Sequence, residues 1–430
     1  MNLKPPAKLL LGLQLINNSL KYLIYILVIV IFSTELAANQ LDVGTNKQFS
    51  TIKSALAFCS DNDTIMVYQG LYKEGNLIID KSITFIGINR PVLDGQKQFE
   101  VLSVKAKNVT IRGFKVQRSG YASLNDPCGI KVYEGDNVSI IDNIVDDNFF
   151  GIYLQYCRKC VVKNNTIISY AVDEQRIGNA IHCWKSDSLQ IIGNIVSGHR
   201  DGIYFEFVTN SIIWRNISKN NIRYGLHFMF SNNDSYISNV FKNNGAGVAV
   251  MFTNKVKMFN NTFIENWGDA AYGLLLKEIS DSYILGNNFL RNTSGIFMEG
   301  TNRIKIEKNV FGSNGWGMKI QASCMDNEIT YNNFIGNTFD ISTNGSLVLN
   351  TFNQNYWDKY EGYDLDKNGV GDIPYHPLSL FSVIVENNPP AMLLFRSFMV
   401  TLLDKSEKMI PSLTPDNFID NAPLMHSLKL

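Results

Sequence analysis

Short runs of alternating apolar and polar residues, such as Gly-Ile-Tyr-Phe-Glu-Phe over 202–207, recur along this chain, bounded by Asn, Gly, Ser and Asp. A period of two between turn residues predicts short strands and excludes helical repeats, whose apolar positions recur at a longer step. Two columns of markers set a longer period. In the first, Asn is followed two residues later by an apolar side chain at Asn143, Asn165, Asn194, Asn239, Asn261, Asn287, Asn309 and Asn332, and by Ser218, the exception, after Asn216. The spacings are 22, 29, 22, 23, 22, 26, 22 and 23 residues. In the second, Gly precedes an apolar residue at Gly129, Gly151, Gly202, Gly225, Gly247, Gly273, Gly295 and Gly317, with Ala180 standing in once. Both columns lengthen together, which places insertions near 171–178 and 267–271.

A unit of about 22 residues with roughly three strands cannot bury its own apolar face, so the units must stack. In a parallel stack equivalent residues lie about 4.8 Å apart. The prediction is an all-β chain, a right-handed parallel β-helix with coils of about 22 residues, an N-terminal capping helix and a C-terminal helical extension. The Asn column then reads as a ladder of side-chain amides, each donating and accepting along the axis while tolerating left-handed backbone at the turn. Asn108, Asn137 and Asn216 also fit the glycosylation pattern, which does not explain the periodicity. A helix capped by Ser50 or Thr51 is expected before strands around 64–68, 76–79 and 83–88, where it would cover the open end of the stack. The repeat ends near Tyr356-Trp357-Asp358. These boundaries divide the chain into a leader (1–38), a cap with the first coils (39–95), the β-helix (96–357) and a C-terminal extension (358–430).

Alignment on the Gly column also assigns direction. The residue after each Gly is apolar and points inward, so the second and fourth point outward. The second-residue column reads Tyr153, His182, Tyr204, His227, Ala249, Leu275, Phe297, and the fourth Gln155, Trp184, Glu206, Met229, Met251, Lys277, Glu299. His227, Met229 and Met251 thus fall within reach of one metal ion. An imidazole beside stacked thioethers is a soft donor set of the kind that selects Cu(I). The competing reading is an aromatic and apolar contact patch, with Tyr153, Trp184, Tyr204 and Phe297 exposed. Catalysis has less support, since Glu206 stands between neutral columns and Asp201 sits at an Asp-Gly turn.

Composition narrows the class. Lys+Arg and Asp+Glu both number 39, so no basic excess exists to neutralise phosphates, and nucleic acid is not an expected partner. Lys4, Lys8 and Lys21 precede an apolar run, Leu23 to Phe32, and then Ala37-Ala38, the order of a secretory signal cut near Ala38 or kept as an anchor. Of the six cysteines, Cys157 and Cys160 form a lone CxxC, which points to a turn disulfide or two buried thiols more than to zinc or redox chemistry. Asp364, Asp366, Asn368 and Asp372 match the opening of a calcium loop, although Tyr375 stands where its closing Glu would be. After Pro389-Pro390, an apolar stretch over 391–403 predicts a helix too short to cross a membrane and in want of a partner or a bilayer surface.

The runs Gly198-His199-Arg200-Asp201-Gly202-Ile203-Tyr204-Phe205-Glu206-Phe207, Arg223-Tyr224-Gly225-Leu226-His227-Phe228-Met229-Phe230 and Gly245-Ala246-Gly247-Val248-Ala249-Val250-Met251 resemble the NosD family, periplasmic maturation factors of nitrous oxide reductase. The resemblance extends from about Phe49 to the C-terminus and is specific over 178–252. It implies a β-helix that is not an enzyme, located in the periplasm and associated with the inner membrane through an ABC-type ATPase and permease. It also implies receipt of copper from a lipoprotein chaperone for the copper-sulfur centre of the reductase, and the soft donor set makes Cu(I) the expected form. It favours metal at His227, Met229 and Met251, with His182 a further candidate and His199, in a turn, a lesser one. It also suggests that the permease meets the 391–403 helix, with 416–425 as the final contact. The alternative is a carbohydrate-active β-helix, of lyase or epimerase type, acting on uronate polymers.

Overall fold

The computed structural model describes residues 38–121, 126–345, 349–409 and 418–430. The expected leader lies outside these, apart from its last residue. Residues 41–430 form one compact unit, a right-handed parallel β-helix with three sheets of 14, 12 and 13 strands. Each full coil contributes a strand to each sheet, and its strands pair in parallel with the equivalent strands of the next coil.

The Asn ladder is present and unbroken. From Asn143 to Asn332, each ladder Asn gives its backbone N–H and its Nδ2 to the Oδ1 of the next, at 2.8–3.0 Å and 2.9–3.1 Å. The same Nδ2 also donates to a carbonyl of the coil below, as Asn239 does to Ile213 at 2.9 Å. Asn216 is buried in this ladder at 1% exposure and is closed to glycosylation once folded.

One detail differs from expectation. The left-handed residue is the one before each ladder Asn, including Arg215 (φ 55°), Lys308 (φ 53°) and Tyr331 (φ 57°). The left-handed step turns the chain, and the following extended residue aims its amide along the axis.

A second ladder runs five residues further on, through Asn221, Asn244, Asn266, Asn292, Asn314 and Asn337, and the sequence reading missed it. His199 occupies its lower end and donates its backbone N–H to Asn221. Between the ladders, Phe241, Phe263, Phe289, Phe311, Phe334 and Trp357 stack at centroid spacings of 4.2–5.4 Å. The exceptional Ser218 falls in this column, where its hydroxyl donates to the Gly225 carbonyl and accepts from Asn221. The Gly column has a spatial cause: a Cβ on Gly225, Gly247 or Gly273 would meet the glycine carbonyl oxygen of the next coil at 2.6, 2.3 and 2.7 Å.

Both ends are closed. At the N-terminal end helix α1 (Ile52–Phe58), capped by Thr51, buries Ile52, Ala55 and Leu56 in the coil core. At the other, Asp420 ends the ladder: its carboxylate accepts from the backbone N–H of Gln354, Asn355 and Ala422, from Asn355 Nδ2 and from Trp357 Nε1. An acceptor-only group suits the last rung, where no further coil waits to be paired. The expected final contact segment is therefore partly committed to the chain itself, since Phe418 is also buried, against Phe352.

The single helix expected over 391–403 is divided. Helix α2 (Leu380–Asn387), capped by Ser379, precedes the prolines, which open a 3-10 turn, Pro389–Leu394. Helix α3 (Phe398–Met409) follows Arg396, which is left-handed at φ 63° and breaks the run. Phe381, Val385, Ala391 and Val400 pack with Phe339 on the outer face of the 12-stranded sheet. The Lys319–Glu386 ion pair, 2.9 Å, joins α2 to that face. Among the described residues no helix is long and apolar enough to cross a membrane.

Two consequences can be measured. Asp420→Ala strands the Asn355 amide and the Trp357 indole N–H, each at about 1–3 kcal/mol, and should lower the thermal midpoint by several degrees. Asp234 is buried, and desolvation lifts its pKa to about 8, well above its unfolded value, so the stability of its neutral form is present in acid and lost as pH rises. Asn327 shows that an amide fits the equivalent place four coils on. Asp234→Asn should therefore stabilise the protein by an amount that grows between about pH 4 and pH 8, by at most about 1.4 kcal/mol per pH unit, in melts across that range.

Candidate functional site

The site lies on the outer face of the 12-stranded sheet, on strands Ile181–Trp184, Asp201–Glu206, Tyr224–Met229 and Ala246–Asn254. The observed register reproduces both columns read from the sequence. Tyr153, His182, Tyr204, His227, Ala249, Leu275 and Phe297 pair in succession, as do Gln155, Trp184, Glu206, Met229, Met251, Lys277 and Glu299. Ile181, Ile203, Leu226 and Val248 point into the core, fully buried.

The expected exposure is corrected. Tyr153 is buried at 7% and His227 at 6%, while Trp184, Tyr204 and Phe297 are half-buried. The rings cover one another: Tyr153 lies 4.3 Å from His182, His182 4.7 Å from Tyr204, and Tyr204 4.9 Å from His227. Tyr224 adds a second ring against His227 at 4.8 Å. Alternation sends these side chains away from the core, but large neighbours on adjacent coils close over them.

The candidate ligands divide into two groups. Met229 is two residues from His227 on one strand and pairs directly with Met251 on the next coil. His182 lies two coils below His227, about 10 Å along the stack, with the Tyr204 ring between them. Metal–nitrogen and metal–sulfur bonds are about 2.0–2.3 Å, so His182 and His227 in this arrangement do not share an ion. His182 is further committed by the Asn179 amide, which donates to its Nδ1 at 3.0 Å. Burial, and then the Arg200 charge, push its pKa down to about 3, so the ring is neutral and its proton is on Nε2.

His227 presents a different picture. Its Nδ1 is 3.3 Å from Arg223 Nη2 and 3.6 Å from Asp201 Oδ2, and its Nε2 is buried without a protein partner. A buried nitrogen left unpaired is costly unless a ligand meets it, which fits a metal-binding role. The half-buried Met229 and Met251 pair with each other in the neighbouring outward column, two residues along the strand from the His227 column. His199 is fully buried within the second ladder, its two ring nitrogens likewise without a protein partner, and desolvation pushes its pKa down to about 4.

Asp201 was read as a turn residue, yet it lies at the centre of the network around His227. Fully buried, it accepts from Arg223 Nε at 2.9 Å and Nη2 at 2.6 Å and from the Tyr224 N–H at 3.3 Å. Burial alone would raise its pKa, but the His227 and Arg223 hydrogen bonds and the Arg223 charge outweigh that and hold the carboxyl below its usual range. The missed signal was an Asp and an Arg beside the Gly column in adjacent coils.

Among the described residues no group of three or more His, Cys, Asp or Glu is placed to hold a metal. All six cysteines are buried free thiols. In the acidic loop, the Asp364 and Asp366 carboxylates accept from the Asn368 N–H, Asp364 also from Gly369, and Asp372 from Leu365, so the loop is folded on its own amides.

Residues 167–362 match the family described as periplasmic copper-binding protein (NosD), and residues 51–173 match the right-handed β-helix region. The chain thus resembles the NosD family, with the motif-bearing segment 178–252 inside the matched stretch. A Pseudomonas aeruginosa protein named probable ABC transporter binding protein NosD is 30% identical over 118 residues, 27% of this chain and 28% of the relative. Its namesake in Stutzerimonas stutzeri is 28% identical over 118 residues, 27% of each chain. The alignments span little more than a quarter of these relatives. Among solved structures, the A-module of the Azotobacter vinelandii mannuronan C-5 epimerase AlgE6 has a TM-score of 0.52 at 14% identity, covering 71% of this chain and 88% of the module. The Dettilon tailspike protein has 0.51 at 13%, covering 70% and 66%. These likenesses are of fold alone.

Proposed function

We propose that this chain is a periplasmic copper-handling accessory protein, not an enzyme, that works with an ABC transporter to mature the copper-sulfur centre of nitrous oxide reductase. The observation that carries the proposal is the unpaired, buried Nε2 of His227 beside the paired thioethers of Met229 and Met251, within the stretch that resembles a copper-binding family. Cu(I) is the cargo that this donor set suits, since thioether and imidazole groups bind it without charge neutralisation by carboxylates.

The transporter reading is supported by the C-terminal extension. Leu393 (90% exposed), Phe398 (77%) and Met399 (64%) form an apolar surface on and beside α3. Such a surface marks a contact with a protein or a bilayer, and the permease is the partner proposed for it. The ATPase, the lipoprotein chaperone and the reductase would complete the assembly, at the periplasmic side of the inner membrane. A calcium ion at Asp364, Asp366, Asn368 and Asp372 remains a proposal for the acidic loop. A uronate-acting face has less support, because the column neighbours of Glu206 are Trp184 and Met229, not a second carboxylate.

Titration of the purified protein with copper(I) against a chromogenic competitor should show a tight site. His227→Ala with Met229→Ala should weaken it at least about 100-fold, since loss of even outer-shell partners costs about 10–100-fold. Undiminished binding by the double variant would exclude this site.

A further inference from the structure

Tyr204 is the side chain on which the candidate ligands converge. In register it stands between His182 and His227. Its ring contacts both, tilted at 34° to His182 and nearly edge-on at 74° to His227. Its hydroxyl reaches diagonally to the next coil and donates to the Met229 sulfur at 3.8 Å. One residue therefore separates the two histidines and places its hydroxyl on one of the two lone pairs of the Met229 sulfur, with the Glu206 carboxylate on its own strand as a second acceptor.

We infer that Tyr204 is a positioning residue that sets the affinity of this site: its ring walls off His182, and its hydroxyl holds Met229 and competes for its sulfur with an incoming soft ion. The inference rests on the copper reading proposed above. The hydroxyl–thioether bond both preorganises Met229 beside His227 and competes with the incoming ion, because a sulfur lone pair shared with a proton donor is a weaker ligand. Copper that binds this sulfur draws on the same electron density, so part of the binding energy is spent against the bond. The site is thereby tuned toward moderate affinity, as suits a protein that passes its cargo on.

The test uses Tyr204→Phe, which keeps the ring and its packing and removes only the hydroxyl, with thermal melts confirming the fold. With methionine methyl groups labelled with carbon-13, the Met229 methyl resonance of the metal-free variant should shift, a direct reading of the lost bond that needs no copper. Copper(I) should then bind about three- to ten-fold more tightly than to the parent, the factor for one modest hydrogen bond. An unmoved Met229 methyl would overturn the inference whatever copper does. A moved methyl with equal or weaker copper affinity would also overturn it, by showing that the hydroxyl does not compete. Absence of copper(I) binding in both proteins would instead remove the copper reading on which it rests, and the methyl signal distinguishes that failure from the others.

Discussion

The structure depends on the hydrogen bond from one buried asparagine amide to the next. A parallel stack of short strands specifies register weakly through its backbone alone, because any coil offers the same pattern of N–H and C=O groups to the next. The ladder removes that freedom. Each amide is sealed in a dry interior, where a donor or acceptor without a partner costs about 1–3 kcal/mol. Slippage of any coil by one residue would strand both its own amide and that of its neighbour. Register is thus enforced at every turn, and so is the alignment of the columns on the outer faces. Without it, His227 and Met229 would have no fixed relation to Met251.

The same bond explains what the turns tolerate. Arg215, Lys308 and Tyr331 all adopt left-handed backbone, at a cost of roughly 1–2 kcal/mol each for residues with a Cβ. At the other turns of this column stand Asp142, Asn164, Gly193, Ser238, Asn260 and Gly286, mostly types that adopt such backbone readily, so these three are where the ladder has to impose it. The ladder side chain that follows offsets the cost and selects the conformation, so the preceding residue is free to vary. That is why the sequence reading placed the left-handed residue one position late: asparagine's own tolerance of such backbone looked sufficient, but its service is to the axis.

Period made the fold legible, and with it the outward columns of the candidate site, because position in a repeat is local information. What escaped was set by neighbours that no period marks. Burial of His227 follows from Tyr204 below it and Tyr224 beside it, rings whose size matters more than their phase. Asp201 and Arg223 meet across coils only because the Gly column brings their turns together. The break between the Pro389–Leu394 turn and α3 falls at left-handed Arg396, and hydropathy alone joined the two into one helix over 391–403. Asp420 completes a ladder whose preceding rung lies 65 residues earlier, a distance that hides it from any repeat search.

These long-range contacts also relate the site to the extension. Lys319 is the next residue in the His227 column after Phe297, and its partner is Glu386 on α2. The helices that present Leu393 and Phe398 are therefore fixed to the same outward column as His227, four coils along, or about 19 Å. Between them the neighbouring column carries the Lys277–Glu299 pair at 3.2 Å, a charged stretch with no soft donors. Because ladder register ties every coil to the next, α2 and the segment that follows it are held at a set height along the stack from His227.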